Sequence, residues 1–188
     1  MIWGRRAILM VAVGLLIAVP VTLLIRDSGS EPERASPSET PSAAADAPGR
    51  EVNDRKLEAA YLVPQGWKTA RKEGVLTLRS RDGSVQVGIA SPGPADGSAA
   101  VFKQAIGALR DGYESVEVTP APQQELGGLT ARSVAVRARS DNVDLRVLAA
   151  VAKGKERAYL VEVFTSTTAS PKAVAEAQVL LNSLRLRG

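Results

Sequence analysis

The chain has neither cysteine nor histidine in its 188 residues, and aromatics make up only 4% of it. Without cysteine no disulfide staples the fold, so stability has to come from packing. Without histidine or cysteine the chain cannot build Ser-His-Asp or Cys-His nucleophile pairs, and it lacks the usual zinc, copper and haem ligands. A lipid anchor carried on a cysteine is excluded on the same ground. Paired carboxylates at acid/base spacing are also missing, and Asp141 and Asp144 do not meet the spacing of a calcium loop. Gly127-Gly128 lacks the lysine and helix start of a phosphate loop. No cofactor or metal is expected, and the expectation is a protein that is not an enzyme. The few aromatics form no stacking platform, so the net charge of +4 is not read as nucleic-acid binding.

What is present begins with an uncharged apolar run at 7–25 (AILMVAVGLLIAVPVTLLI), preceded by Arg5 and Arg6 and followed by Arg26 and Asp27. About twenty such residues make a helix long enough to cross the hydrocarbon core of a bilayer. Two arginines at its start favour a cytoplasmic stub at 1–6 and an extracytoplasmic remainder. A cleaved signal peptide is the alternative, but no small-x-small site follows closely: Val19 stands between Ala18 and Pro20, and the triplet Ala43 to Ala45 is far downstream. An uncleaved single-pass anchor is therefore expected. Arg5 and Arg6 fit a twin-arginine signal, but ordinary positive flanking explains them more simply.

Residues 26–55 are rich in Ser, Pro, Glu and Ala and are expected to form a disordered linker, because they cannot bury enough apolar surface to order themselves. They carry four basic and seven acidic residues, whereas 56 onward carries eighteen basic and thirteen acidic, so a basic head follows an acidic leash. Outside the cell the available anions are lipid headgroups and wall polymers, and a basic head can rest on either.

The head, 56–187, alternates short strands with two helical patterns. Residues 57–63 form a first element, helical or extended, ending at the turn Pro64-Gln65-Gly66. Residues 75–79 and 85–90 alternate about Asp82-Gly83, a hairpin signal. Residues 91–97 read as a loop. Phe102, Ala105, Ile106 and Leu109 then recur at helical spacing up to Gly112, with Asp96 or Ser98 as N-cap. Strands follow at 115–119, 131–139, 144–152 and 157–165. A last helix is opened by Ser170 and Pro171 and buries Val174, Ala177, Leu181 and Leu184. Several strands are apolar on both faces, which requires cover on both sides. The expected class is α+β, an antiparallel sheet with helices on both faces in an α/β/α sandwich.

The order strand, Pro-x-Gly-Trp (Pro64, Gly66, Trp67), hairpin, helix, strand, Gly-x-x-Ala strand (Gly128, Ala131), two strands and a helix ending Ser183-Leu184 resembles the PsbP/DcrB superfamily over about 58–186. The resemblance implies an α/β/α fold and a mostly non-enzymatic role of binding a larger protein. It assigns no contact residue, and the chain departs from the superfamily's envelope lipoproteins in lacking their lipid-bearing cysteine.

Three features are candidate sites. Trp67 is expected to plug one end of the core rather than to stand exposed. If Asp141-Asn142 forms a tight turn, Arg139 pairs with Asp144 and Arg137 opposes Arg146, with Val163 beside Arg146 on the next strand. Two opposed arginines repel, which makes Arg137, Arg139 and Arg146 a candidate patch for an anionic group or partner. Glu162 lies between Leu160 and Phe164 on an apolar face, where a bulge or an open face is expected to expose it. The expected function is a membrane-anchored extracytoplasmic binding or accessory module for an envelope protein complex, in contact with an envelope protein or an anionic wall or lipid component. The alternative is a small-ligand or cell-wall-polymer binding domain.

Overall fold

The computed structural model of the chain describes residues 49–140 and 143–187. The expected anchor at 7–25, the linker up to 48 and the Asp141-Asn142 turn lie outside those residues. Among the described residues no helix is long and apolar enough to cross a membrane.

The chain runs β1 (Arg50–Asp54), β2 (Ala59–Val63), β3 (Lys68–Lys72), β4 (Val75–Arg79), β5 (Val85–Pro94), α1 (Ser98–Gly112), β6 (Ser115–Pro120), β7 (Gln124–Leu126), β8 (Leu129–Ser140), β9 (Val143–Lys153), β10 (Arg157–Ser166), α2 (Pro171–Ser183) and β11 (Arg185–Leu186). Eight strands form one sheet in the order β3-β4-β5-β10-β9-β8-β6, with β7 also pairing β8, and β1-β2-β11 form a second, three-stranded sheet. The class is α+β, with mostly antiparallel sheet and two helices.

The alternation of β8, β9 and β10 divides their side chains between two cores. On one face Val134, Val136, Ala138, Val147, Ala149 and Val151 pack against Val101, Phe102 and Leu109 of α1. On the other, Ala131, Ala150, Ala152, Tyr159, Val161 and Val163 pack with Ala173, Ala177 and Leu180 of α2 and with β2. We call these the α1 face and the α2 face. Arg132 of β8 lies over the Phe102 ring, 4.4 Å from its centroid, adding a cation–π contact to the α1 packing. The small sheet adds to the cover on the α2 face through Ala59, Tyr61, Val63 and Leu186.

Several expectations need correction. The linker ends earlier than 55: Arg50–Asp54 is a strand, held by β2, with Val52 against the core and the Asp54 carboxylate accepting from the Lys56 and Leu57 amides at 3.0 and 3.1 Å and pairing with Arg71. The first element is extended. The presumed loop at 91–97 is strand as far as Pro94, because a bulge of Ser91 and Pro92 opposite Tyr159 lets Gly93 and Pro94 pair with Ala158 and Arg157. Neither Asp96 nor Ser98 caps α1; Gly97 stands at the cap with no side-chain bond, after a 3-10 turn at Ala95–Gly97. In α2 Ser170 caps as expected, accepting from the Ala173 amide at 3.2 Å. Ala177 and Leu184 are buried as expected, but Val174 is exposed and Leu181 only half-buried, with Ala173 and Leu180 buried in their place.

Trp67 is buried, and its Nε1 donates to Glu176 Oε2 of α2 at 2.8 Å. The β4–β5 turn is tied by Asp82, whose carboxylate accepts from Ser80 Oγ at 2.7 Å and from the Ser84 amide and hydroxyl at 3.0 and 2.8 Å. The Ser80 hydroxyl, followed by the Ser84 amide, holds the Asp82 pKa down to about 2. A depressed carboxylate adds stability above its unfolded pKa near 3.8, and that stability is lost as pH falls toward about 2. Asp82→Ala is expected to lower stability by on the order of 1 kcal/mol at neutral pH. It should also flatten the acid-induced loss below pH 4, which urea unfolding at a series of pH values measures.

Candidate functional site

The two covering layers are offset, and each face of the large sheet is left open at one end. On the α2 face the open wing is carried by β6, β8 and β9. There Arg137 directly opposes Arg146 and Arg139 opposes Asp144, as the sequence predicts. Arg139 is already committed: its Nε and Nη2 donate to the two carboxylate oxygens of Asp144 at 2.8 and 3.2 Å. That bidentate pair raises the Arg139 pKa and lowers that of Asp144. Arg137 and Arg146 make no hydrogen bond or ion pair among the described residues, and both are exposed.

Two neighbours of this pair differ from expectation. Arg146 faces Thr165 rather than Val163, because four residues separate the paired Lys153 and Ala158, with the Gly154 amide bonded to the Arg157 carbonyl at 3.0 Å, and not the two that Gly154-Lys155 suggested. Glu117 of β6 lies opposite Arg137 on the other side, a position set by the β6–β8 register. The row across the sheet is therefore Glu117, Arg137, Arg146, Thr165. The next row toward the core is exposed Thr119 and Ala135 beside half-buried Leu148. The wing is a polar and small-residue surface with two opposed guanidinium groups.

On the α1 face the open wing belongs to β3, β4 and β5. Glu162 of β10 points onto this face beside Gly88 and Ala149, with Leu160 and Phe164 before and after it. It is mostly buried and not exposed as expected: the bulge lies in β5, where Ser91 and Pro92 together stand opposite Tyr159, and does not release it. Burial pushes its pKa up to about 7. The Glu162 carboxylate forms no hydrogen bond or ion pair among the described residues. Glu73 lines the same small cavity from the β3–β4 turn, but it is exposed and held by no side-chain bond. Sequence reasoning missed it because β3 (KTARK) shows no apolar alternation. The turn itself needs positive φ at both Glu73 (52°) and Gly74 (84°), the geometry of a tight two-residue hairpin.

A cleft of about 720 Å³ lies between the β4–β5 turn and the start of α2, its lining including Gln65, Asp82, Ser170 and Lys172. Ser170 Oγ donates to Asp82 Oδ2 at 3.3 Å, so the place at the helix start that an anion favours already holds this chain's own carboxylate. Among the described residues no cluster of carboxylates suits a metal ion.

No protein-family model matches the sequence, and no curated protein matches it. Similar solved structures include a crystal structure from Bacteroides thetaiotaomicron, 11% identical over 75% of this chain and 49% of that one, with a TM-score of 0.50. The chain thus spans about half the length of that protein. The solution structure of the cyanobacterial PsbP protein CyanoP from Synechocystis is 19% identical over 80% of this chain and 99% of its own, with a TM-score of 0.49. The crystal structure of LpqN, involved in cell envelope biogenesis of Mycobacterium tuberculosis, is 14% identical over 77% and 87%, with a TM-score of 0.48. At 11% identity the first of these likenesses is one of fold alone, and a PsbP protein is among the similar structures.

Proposed function

We propose that the chain is a membrane-anchored, extracytoplasmic, non-enzymatic accessory module whose α2-face wing binds an acidic surface of an envelope protein. The observation that carries this is the exposed Arg137–Arg146 pair, opposed across the β8–β9 ladder and unpaired among the described residues. Like charges directly opposite each other destabilise a sheet, and a carboxylate lying over both guanidinium groups reverses that cost. The anchor at 7–25 supports the location, and the leash allows the head to reach a neighbour in the same membrane. A small apolar ligand is disfavoured in the cleft beside α2, because charged and hydroxyl side chains line it and Asp82 is tied to Ser170 there.

The test is crosslinking of the full-length protein in its native membranes, with mass spectrometry of the captured species. One recurrent envelope protein is expected, and Arg137→Glu/Arg146→Glu should cut its capture at least about tenfold, equivalent to about 1.4 kcal/mol. Arg110→Glu, on the exposed side of α1, is the charge control and should change little. Capture of glycan or lipid alone, or equal capture by the double variant, refutes the reading.

A further inference from the structure

A different surface, on the other face of the sheet, also has the makings of a docking site. The register aligns Ala70, Thr77, Gly88 and Glu162 in one row, so small side chains form a furrow leading from the β3 edge to a carboxylate. One ridge beside it carries Arg79, Gln86 and Phe164, and the other carries Val75 and Leu160. At Glu162 the furrow deepens into a cavity of about 90 Å³, walled by Val75, Ala90, Pro92 and Leu160 and floored by Gly88, with exposed Glu73 at its rim. That is space for about three waters, the size of an ammonium or guanidinium head with part of its stem.

No cation of the described residues meets Glu162. Lys72 and Lys68 project from β3, three strand spacings or about 14 Å away across the sheet; the Arg79 guanidinium of β4 lies against Gly83 of the β4–β5 turn, and Arg132 of β8 lies over Phe102. β5 carries no ionisable residue, and the β9 residues nearest on this face, Val147, Ala149 and Val151, are apolar. Lys103, Arg110 and Asp111 of α1 are exposed, and Tyr113 just beyond α1 is a neutral phenol, its pKa raised by burial and then by the charge of Glu162. A carboxylate buried without a partner costs stability, and apolar walls beside it match the alkyl stem of a long basic side chain.

We propose that this cavity receives a lysine or arginine side chain of a partner protein, its stem along Val75 and Leu160 and its cationic head on Glu162, with Glu73 adding charge at the rim. The occupant is basic where the opposite wing calls for an acidic one.

The full-length chain in detergent micelles, followed by amide NMR, tests this with three probes: an acetyl-Gly-Arg-Gly-amide peptide, the same peptide with citrulline, and ethanolamine. The arginine peptide is expected to shift the Gly74, Gly88 and Ser91 amides saturably, and about tenfold more tightly at pH 8 than at pH 6 as Glu162 ionises through about 7. Glu162→Gln keeps the shape and Gly88→Val keeps the charge; each should weaken binding at least about tenfold. A side chain can start at 88 without a clash, since a Cβ there meets only the Glu162 carbonyl, at 3.9 Å. Retained dispersion of the amide spectrum shows that each variant is folded. Equal binding of the citrulline peptide, unchanged binding by Glu162→Gln, or no saturable shift at about 50 mM overturns the proposal. Ethanolamine binding as tightly as the arginine peptide overturns it in favour of a lipid headgroup amine.

Discussion

Replacing Glu162 with glutamine is expected to stabilise the protein by about 2–3 kcal/mol at pH 8 and by nearly nothing at pH 4. The folded carboxyl releases its proton near 7, whereas in the unfolded chain it does so near 4.5. Below 4.5 both states hold the proton and the group contributes nothing to the pH dependence. Between 4.5 and 7 the unfolded chain ionises and the folded one does not, so stability falls as pH rises, and it levels off above 7. The full shift corresponds to about 3 kcal/mol, an upper value because the fold relaxes around a charge. Glutamine has the same shape and no proton to lose, so the variant's stability should lack this slope. Urea unfolding at pH 4 and pH 8 separates the two explanations of any gain: a gain of equal size at both would owe nothing to ionisation.

Trp67→Ala is expected to cost about 3–5 kcal/mol, the largest loss of any single substitution considered for this chain. The side chain is 7% exposed and belongs to the core on the α2 face, where it meets α2. Its Nε1–H donates to Glu176, tying the start of the large sheet to the terminal helix. Trp67→Phe keeps most of the apolar volume and removes that donor, and should cost less. A double-mutant cycle with Glu176→Ala isolates the bond, expected at about 1 kcal/mol because Glu176 is partly exposed. If Trp67→Ala cost under about 1 kcal/mol, the residue would be a surface aromatic and its place in the core would be wrong.

Where local chemistry set the outcome, it could be read from the residues: Ser170-Pro171 at the start of α2, Asp82-Gly83 in the β4–β5 hairpin and the helical spacing of Phe102, Ala105 and Leu109. The opposition of Arg137 and Arg146 was legible because one turn position counts the whole ladder. The Glu117 that shares their row was not, since β6 joins β8 from across α1 and no turn links their registers. β1 and β3 were missed for another reason. Their residues are nearly all exposed, so pairing and not apolar alternation makes them strands. On α2, Ala177 and Leu184 are buried as expected, but Ala173 and Leu180 take the places expected of Val174 and Leu181, because Val174, Val179 and Leu181 leave apolar residues around most of its circumference and only the placement of β2 and β5 chooses among them. The burial of Glu162 likewise depends on neighbours brought from β5 and α1, which no short window of sequence contains.

The offset of the covering layers has a consequence for how the head can be used. Its two bare wings lie on opposite faces and at opposite ends of one continuous eight-stranded sheet, so whatever sits on one does not shadow the other. A plate of this kind can be gripped from both sides at once. Two contacts on a single partner would then multiply, because once the first has formed the second proceeds at high effective concentration, and modest individual affinities yield a long-lived assembly. With separate partners, the same plate would act as a rivet between them, selecting one by its carboxylates and the other by its cations.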